Sequence, residues 1–381
     1  MASCVPGRAL LKEEERRRRI GSFCGTLREK GIDAAVFFAG GSIRYFTDFR
    51  MNAATESVYM LTADGDEHYF VPRLDYRRAT ESCPVRNLKI LGEDSSDNYA
   101  AVKEVLRKAG CERIGFEKEK VTYQQYLILQ MADAGDLVPV DTLFAQQRAI
   151  KSEEELILIR RAAKIADLAM NTCRSVLKER LQAGKEMTES EMTGLARYVY
   201  EREGAEGASF DPFCMSGEHV WLPQRFSTAK PVRPGDMSIF DMGAVYQGYC
   251  SDLTRTIAAG VVTDEQYRIY ETAREAQQRA VQAVCPGKRG YEIDRVAREY
   301  IRGQGYGDYF PHITGHGLGT DIHELPILDQ SQDIVLAPGM VVTVEPGIYV
   351  PETGAARIED MVLVTEAGYE LLTNCDRGMI L

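Results

Sequence analysis

Read for the spacing of apolar and polar positions, the first 150 residues alternate between helix and strand patterns. A charged amphipathic stretch, Lys12–Lys30, precedes the apolar run Ala34–Ala39. Ser57–Thr62 and Glu67–Val71 flank the turn-rich tetrapeptide Ala63-Asp64-Gly65-Asp66, which predicts a hairpin. Shorter apolar strands are expected near Leu88–Leu91 and Arg113–Phe116, with helices over Asn98–Ala109 and Thr122–Asp133. Leu156, Ile159, Ala163, Ala166 and Met170 then recur near the 3.6-residue period and predict one long helix over Lys151–Arg180. Val138–Arg148, just before it, reads as a domain boundary.

The second part repeats helix and strand patterns more regularly. Thr188 with Glu191 has capping-box spacing and opens a helix to about Glu203. Strands and tight turns fill 211–260, helical patterns cover Asp264–Val284 and Tyr291–Gln304, and strands return at Met340–Val344 and Arg357–Val364. The fold class is α/β (α+β), in two domains, 1–150 and 151–381; at roughly 100–200 residues per domain, 381 residues suit that division.

Composition narrows the class further. With 44% hydrophobic and 27% charged residues the chain resembles an ordinary globular protein. Its apolar runs are strand-sized, far short of the ~18 residues of a membrane span. A net charge of −11 repels phosphate backbones, so nucleic acid is excluded as a partner. The nine cysteines are scattered singly without a C-x-x-C pair, which argues for reduced thiols in the cytoplasm. Met1–Leu11 lacks the apolar core of a signal peptide. The run Glu13–Arg19 sets Glu13/Arg17, Glu14/Arg18 and Glu15/Arg19 at i,i+4 on a solvated helix, a plainer reading than a basic targeting patch.

Chemistry is signalled by carboxylates in apolar surroundings. Asp241 interrupts Ser238–Gly243, Asp252 follows the turn at Gln247-Gly248, Glu345 ends Val341–Val344, and Glu359 sits within Arg357–Val364. A buried carboxylate must be neutralised, paired or metal-bound. Any one of the four could instead face water from a half-buried strand. Arg357 is the one nearby basic residue to balance all four. Three of the five histidines fall in one glycine-rich segment, at 312, 316 and 323, where Gly315, Gly317 and Gly319 let the backbone pass close to a neighbour. Four carboxylates and an imidazole form a hard donor set suited to two ions of the manganese, cobalt, iron or zinc type. No Gly-x-Ser-x-Gly elbow, P-loop or His-Glu-x-x-His helix competes.

This constellation resembles the pita-bread metallopeptidases, the family of methionine aminopeptidases, Xaa-Pro aminopeptidases, prolidases and creatinase. The pattern is an Asp eleven residues before a second Asp, a His, a Glu in Glu-Pro-Gly and a Glu in Arg-Ile-Glu-Asp, here Asp241, Asp252, His316, Glu345 and Glu359. His312 and His323 match the family's two non-ligand histidines, and Arg357 an arginine beside the metals. Tyr45-Phe46-Thr47-Asp48-Phe49 is similar to the family's Tyr-Leu-Thr-Gly-Phe, with Asp for Gly, which points to the branch with a creatinase-like N-terminal domain.

The resemblance implies a homodimeric, two-metal hydrolase with manganese as the first expectation, cleaving Xaa-Pro bonds in small peptides through a bridging hydroxide. Glu345 would move the proton, while His323 and His312 would stabilise the oxyanion; His219, Gln224 and Arg357 would bind substrate. One departure opens an alternative. Where family peptidases carry Pro-His, this chain has Pro223-Gln224, and glutamine cannot carry a proton at neutral pH. His219 is a candidate replacement or a plain loop residue, and Trp221 a pocket wall or packing. Hydrolysis of a non-peptide amide, as in creatinase or ectoine hydrolase, or a metal-dependent lyase reaction, are the alternatives on the same fold. A non-catalytic binding module is the third, although such relatives lose metal ligands that are all present here.

Overall fold

The computed structural model describes residues 12–52, 55–92, 99–131 and 135–381. The expectations for Met1–Leu11, for Asn98 and for the end of the helix at Asp133 fall outside them. The chain divides into two compact units, Met1–Gln147 and Arg148–Leu381.

In the first unit a six-stranded sheet runs in the order Leu88–Ile90, Glu67–Val71, Val58–Thr62, Ala34–Phe37, Arg113–Phe116, Asp136–Pro139. The hairpin pairs Val58 with Phe70 in antiparallel register. The strands Ala34–Phe37 and Arg113–Phe116 run parallel. Ala34–Phe37 is buried along its whole length because both faces of the sheet are covered. Ala35 and Phe37 face a layer with Phe23, Phe46 and Phe144, while Ala34 and Val36 face one with Leu106 and Ile114.

Three helices appear that periodicity does not announce: Gly40–Thr47, Arg73–Ser82 and Asp141–Ala149. The last occupies part of the expected boundary, as does the strand Asp136–Pro139. The first helix, Glu13–Glu29, is also less solvated than its charges imply. Glu15 and Arg19 do pair at 2.9 Å, but Arg19 is fully buried and donates to the Tyr45 carbonyl. Asp48 caps the helix Gly40–Thr47 at φ 50°, a left-handed conformation that explains why a glycine suits this place.

In the second unit the expected capping box forms at Thr188/Glu191 and opens the helix Glu189–Arg202, and two more that were not expected, Ser152/Glu155 and Thr263/Gln266, open Glu153–Gln182 and Asp264–Ala283. A further helix spans Gly290–Gly303. Phe213–Ser216, Met237–Met242 and Leu253–Ala258 make one antiparallel sheet. Glu324–Leu328, Gly315–Gly317, Val341–Val344, Asp360–Thr365 and Gly368–Leu371 make another. The single strand expected over Arg357–Val364 is in fact two: Gly354–Arg357 pairs with Gly347–Val350, and Asp360–Thr365 joins the five-stranded sheet. Ile358 and Glu359 lie at the switch between them.

Candidate metal centre

The antiparallel ladder places Met242 opposite Leu253, so Asp241 and Asp252 meet at one end of it. The Glu359 amide donates to the Thr254 carbonyl at 3.1 Å, which brings the strand switch to the same place. His316 enters from Gly315–Gly317. Gly315 is required there because a Cβ would lie 2.0 Å from the Thr343 carbonyl. The glycine therefore serves a close approach of two strands, not of a ligand. Thr343 Oγ1 then accepts from the His316 amide at 3.0 Å and reaches Glu345 Oε1 at 3.1 Å.

Ligand atoms of Asp252, His316 and Glu359, all buried, lie within 4.8 Å of one another. His316 Nε2 is 3.6 Å from Asp252 and 3.3 Å from Glu345. Arg357 reaches Asp241 Oδ2, but Asp241 Oδ1 and Glu359 Oε1 are buried without any hydrogen-bond partner. The other Glu359 oxygen accepts from Thr254 Oγ1 at 2.8 Å.

The electrostatics are those of acidic groups crowded together out of water. Burial, then the charge of Asp241, pushes the Asp252 carboxyl well above its ordinary value. Burial, then Asp252, does the same to Glu359. Asp241 is also raised by burial, with Arg357 opposing. Burial works against charge on His316 too, but the hydrogen bond and charge of Glu345 outweigh it and raise the imidazole to about 9. The same contact overcomes burial at Glu345 and lowers it to about 2. Orphaned carboxylate oxygens beside a histidine are the donor set a divalent cation completes, and the residues fit one.

Above this floor is a cavity of about 310 Å³ lined in part by Phe210, Phe213, Gln224, His312, His323 and Arg357. Arg357 donates to the Tyr349 hydroxyl at 2.6 Å and to the Pro223 carbonyl at 2.9 Å. Tyr349 meets His312 Nε2 at 3.0 Å, and His312 Nδ1 lies 2.7 Å from the Ile313 carbonyl. A carbonyl only accepts, so Nδ1 carries the proton and Nε2 accepts from Tyr349. Both ring nitrogens of His312 are thus engaged, and burial lowers its pKa to about 4. Sequence reasoning missed Tyr349, which sits in Gly-Ile-Tyr-Val without any local mark of function.

The other histidines separate. The His323 ring lies 4.3 Å from that of His316, at the cavity. His219 is not among the lining residues: its Nδ1 is 3.6 Å from Glu189, whose oxygens are already taken by Ser216 and Thr228. Trp221 packs against the hydrophobic core.

Residues 157–366 match the model of metallopeptidase family M24, and residues 19–150 that of the creatinase/prolidase N-terminal domain. The chain belongs to family M24. A curated relative is the Xaa-Pro dipeptidase of Pyrococcus furiosus, 37% identical over 96% of this chain and 100% of that protein. Among solved structures, the Xaa-Pro dipeptidase from Bacillus anthracis superposes with a TM-score of 0.85 at 33% identity, covering 96% of this chain and all of the other. The X-Pro aminopeptidase from Thermotoga maritima does so with 0.85 at 29% identity, over 95% and 99%. The chain is accordingly a metallo-hydrolase of the pita-bread type with a creatinase-like N-terminal domain, and it uses a divalent metal. No helix among the described residues is long and apolar enough to cross a membrane.

Proposed function

We propose that this M24 chain hydrolyses Xaa-Pro peptides, dipeptides first. The observation that carries the reading is the Asp252–His316–Glu359 cluster, with a carboxylate oxygen left unpartnered, at the floor of a small cavity. About 310 Å³ is near the lower end of ligand sites, which favours a short substrate over an extended peptide. The two similar dipeptidases support the same choice.

Asp241, Asp252, His316, Glu345 and Glu359 would hold two divalent ions, with manganese as the first expectation and cobalt, zinc or iron as substitutes. When bound, such ions neutralise the carboxylates, polarise a carbonyl and make water a nucleophile near neutral pH. Glu345, at 3.3 Å from His316 Nε2, is placed to hold and pass on a proton at Oε1. His323 is the donor for charge developing on the carbonyl oxygen. His312, with both nitrogens engaged, works instead as the end of a chain through Tyr349 and Arg357 to Asp241, which fixes that carboxylate. Arg357, Gln224, Phe210 and Phe213 shape the substrate's side of the cavity. The resemblance further supports a homodimer, and the free cysteines a reducing, cytoplasmic setting.

Gln224 in the lining favours one second reading, a non-peptide amide. Elemental analysis combined with turnover of Xaa-Pro dipeptides, Xaa-Pro tripeptides, creatine and ectoine separates the two. We expect two ions per chain and fastest turnover of dipeptides. Full activity after exhaustive chelation, or activity on creatine or ectoine alone, overturns the proposal.

A further inference from the structure

His323 is solvent-exposed and sits on an irregular turn between the strands Gly315–Gly317 and Glu324–Leu328. Strand pairing ends at Glu324, which faces Gly317, so His323 lies just outside the ladder. The turn that carries it therefore sets where this exposed imidazole sits, 4.3 Å from the His316 ring.

The turn is built around the Glu324 carboxylate. Its Oε1 accepts from the Asp321 amide at 2.9 Å and occupies the space beside Gly319, where a Cβ would lie 2.6 Å from it. From outside, buried Arg148 closes the turn with one guanidinium. Nη1 donates to Asp321 Oδ2 at 3.1 Å, and Nη2 to Thr320 Oγ1 at 2.8 Å and to Glu324 Oε1. Lys151, equally buried, places Nζ 3.4 Å from Glu324 Oε2. A planar fork can serve three acceptors in fixed directions, which an ammonium cannot.

We propose that Arg148 is a positioning residue for the reaction, acting through Thr320, Asp321 and Glu324 to hold His323 over His316. The inference rests on the role given to His323 above. Without Arg148 the buried Glu324 carboxylate is compensated by Lys151 alone, and it regains solvation only if the turn opens. Opening carries His323 away from the cavity while the carboxylates of the metal centre stay in place.

The test uses the metal-loaded enzyme and an Xaa-Pro dipeptide. Arg148→Met should lower kcat by about 10- to 100-fold, the usual cost of losing an orienting partner, with KM and metal content unchanged. Arg148→Lys should recover only part of the loss. In a His323→Ala background, itself expected to lose on the order of 10²-fold in kcat, Arg148→Met should cost less than about twofold. In zinc-loaded protein, which is diamagnetic, Arg148→Met should also move the imidazole proton resonance assigned to His323 by its loss in His323→Ala, and leave that of His68 unmoved. An equal loss in both backgrounds, or an unmoved His323 resonance, overturns the proposal. Should Arg148→Met fail to fold, Gly319→Ala and Thr320→Val disturb the same turn and give the same two readouts. Should His323→Ala leave turnover intact, the reading of His323 as a donor fails, and the resonance decides the positioning role alone.

Discussion

Glu359 and Asp360 are neighbours in the chain, both carboxylates and both buried, yet they sit in opposite kinds of surroundings. Asp360 is caged. It accepts from Arg255 at 2.8 Å, Arg377 at 2.9 Å, Gln277 at 2.9 Å and Thr373 at 2.9 Å. Glu359 has Thr254 on one oxygen and no partner on the other. Desolvation penalises both, but the chain itself neutralises only one. Burial of a carboxylate is therefore poor evidence for a site, and unfilled acceptor capacity, which Asp167 Oδ1 also has, becomes good evidence where several such carboxylates meet beside a histidine.

The largest effect that tests this contrast is on turnover. Asp252→Ala should abolish activity, by more than the roughly 100-fold that losing a mere orienting residue costs, and should reduce metal content. The side chains that Asp360 accepts from, Arg255, Gln277, Thr373 and Arg377, do not line the cavity, so its removal should act through stability instead. Asp360→Asn should cost about 3 kcal/mol, near the low end for a broken buried pair, because Arg255 retains carbonyl acceptors at Thr254, Glu359 and Cys375. In metal-free protein Glu359→Gln should leave stability within about 0.5 kcal/mol, since burial raises this carboxyl and so favours the neutral form that a glutamine resembles. Denaturant melts of the metal-free variants read both. Equal destabilisation by Asp360→Asn and Glu359→Gln would erase the distinction.

The difference was only half legible beforehand. Asp241 within a strand, Asp252, Glu345 and Glu359 beside strand ends, and the clustered histidines stand out because apolar runs make polar intruders visible. Asp360 looks the same as Glu359 in Arg-Ile-Glu-Asp, since its cage comes from Arg255, Gln277, Thr373 and Arg377, remote in sequence. The strand break at Ile358 is invisible for the same reason: an unbroken apolar run suits one buried strand or two. Helices with capping boxes are readable from local sequence, whereas Gly40–Thr47 starts on two glycines and contains β-branched and aromatic residues, a weak helical signal that tertiary packing overrides. Arg148 ends the expected boundary segment and Lys151 opens the expected long helix, and nothing in the local sequence ties either to Glu324, more than 170 residues away, so their grip on it stayed hidden.

A smaller effect follows from pH. In metal-free protein the folded values of Asp252 and Glu359 are raised, and that of His316 is raised to about 9. A raised folded value contributes stability below the unfolded pKa and loses it as pH climbs through the folded one. His312, lowered to about 4, has the opposite sign, but its contribution is complete above about pH 6.5. Between about pH 7 and about pH 9 the melting temperature of metal-free protein should therefore fall as pH rises. Saturating divalent metal should diminish that slope, because the ions replace protons as the neutralising charge, and leave the part due to buried thiols such as Cys173 and Cys375, whose pKa burial raises. A slope that metal loading leaves undiminished would mean that the carboxylate floor is not where the ions bind.

The smallest effect concerns the loop with Gln224 and His219. Sequence reasoning expects His219→Ala to cost more than Gln224→His, since His219 is the loop's one imidazole that could stand in for the histidine missing at 224. The geometry reverses the order. Gln224 lines the cavity, next to Pro223, whose carbonyl Arg357 holds at 2.9 Å. His219 turns towards Glu189, a carboxylate that Ser216 and Thr228 already occupy. Reaching the cavity would require the loop to leave that anchor. His219→Ala should accordingly change kcat for an Xaa-Pro dipeptide by less than about threefold, as expected for a residue outside the site. Gln224→His should change it by more than that but less than about tenfold, the ~1.4 kcal/mol that exchanging one adaptable hydrogen bond can supply. A steep loss in His219→Ala would show that the loop swings during turnover. Peptidase activity created from none by Gln224→His would show that the native substrate is not a peptide, because a hydrogen-bond holder is replaceable by glutamine and a proton carrier is not.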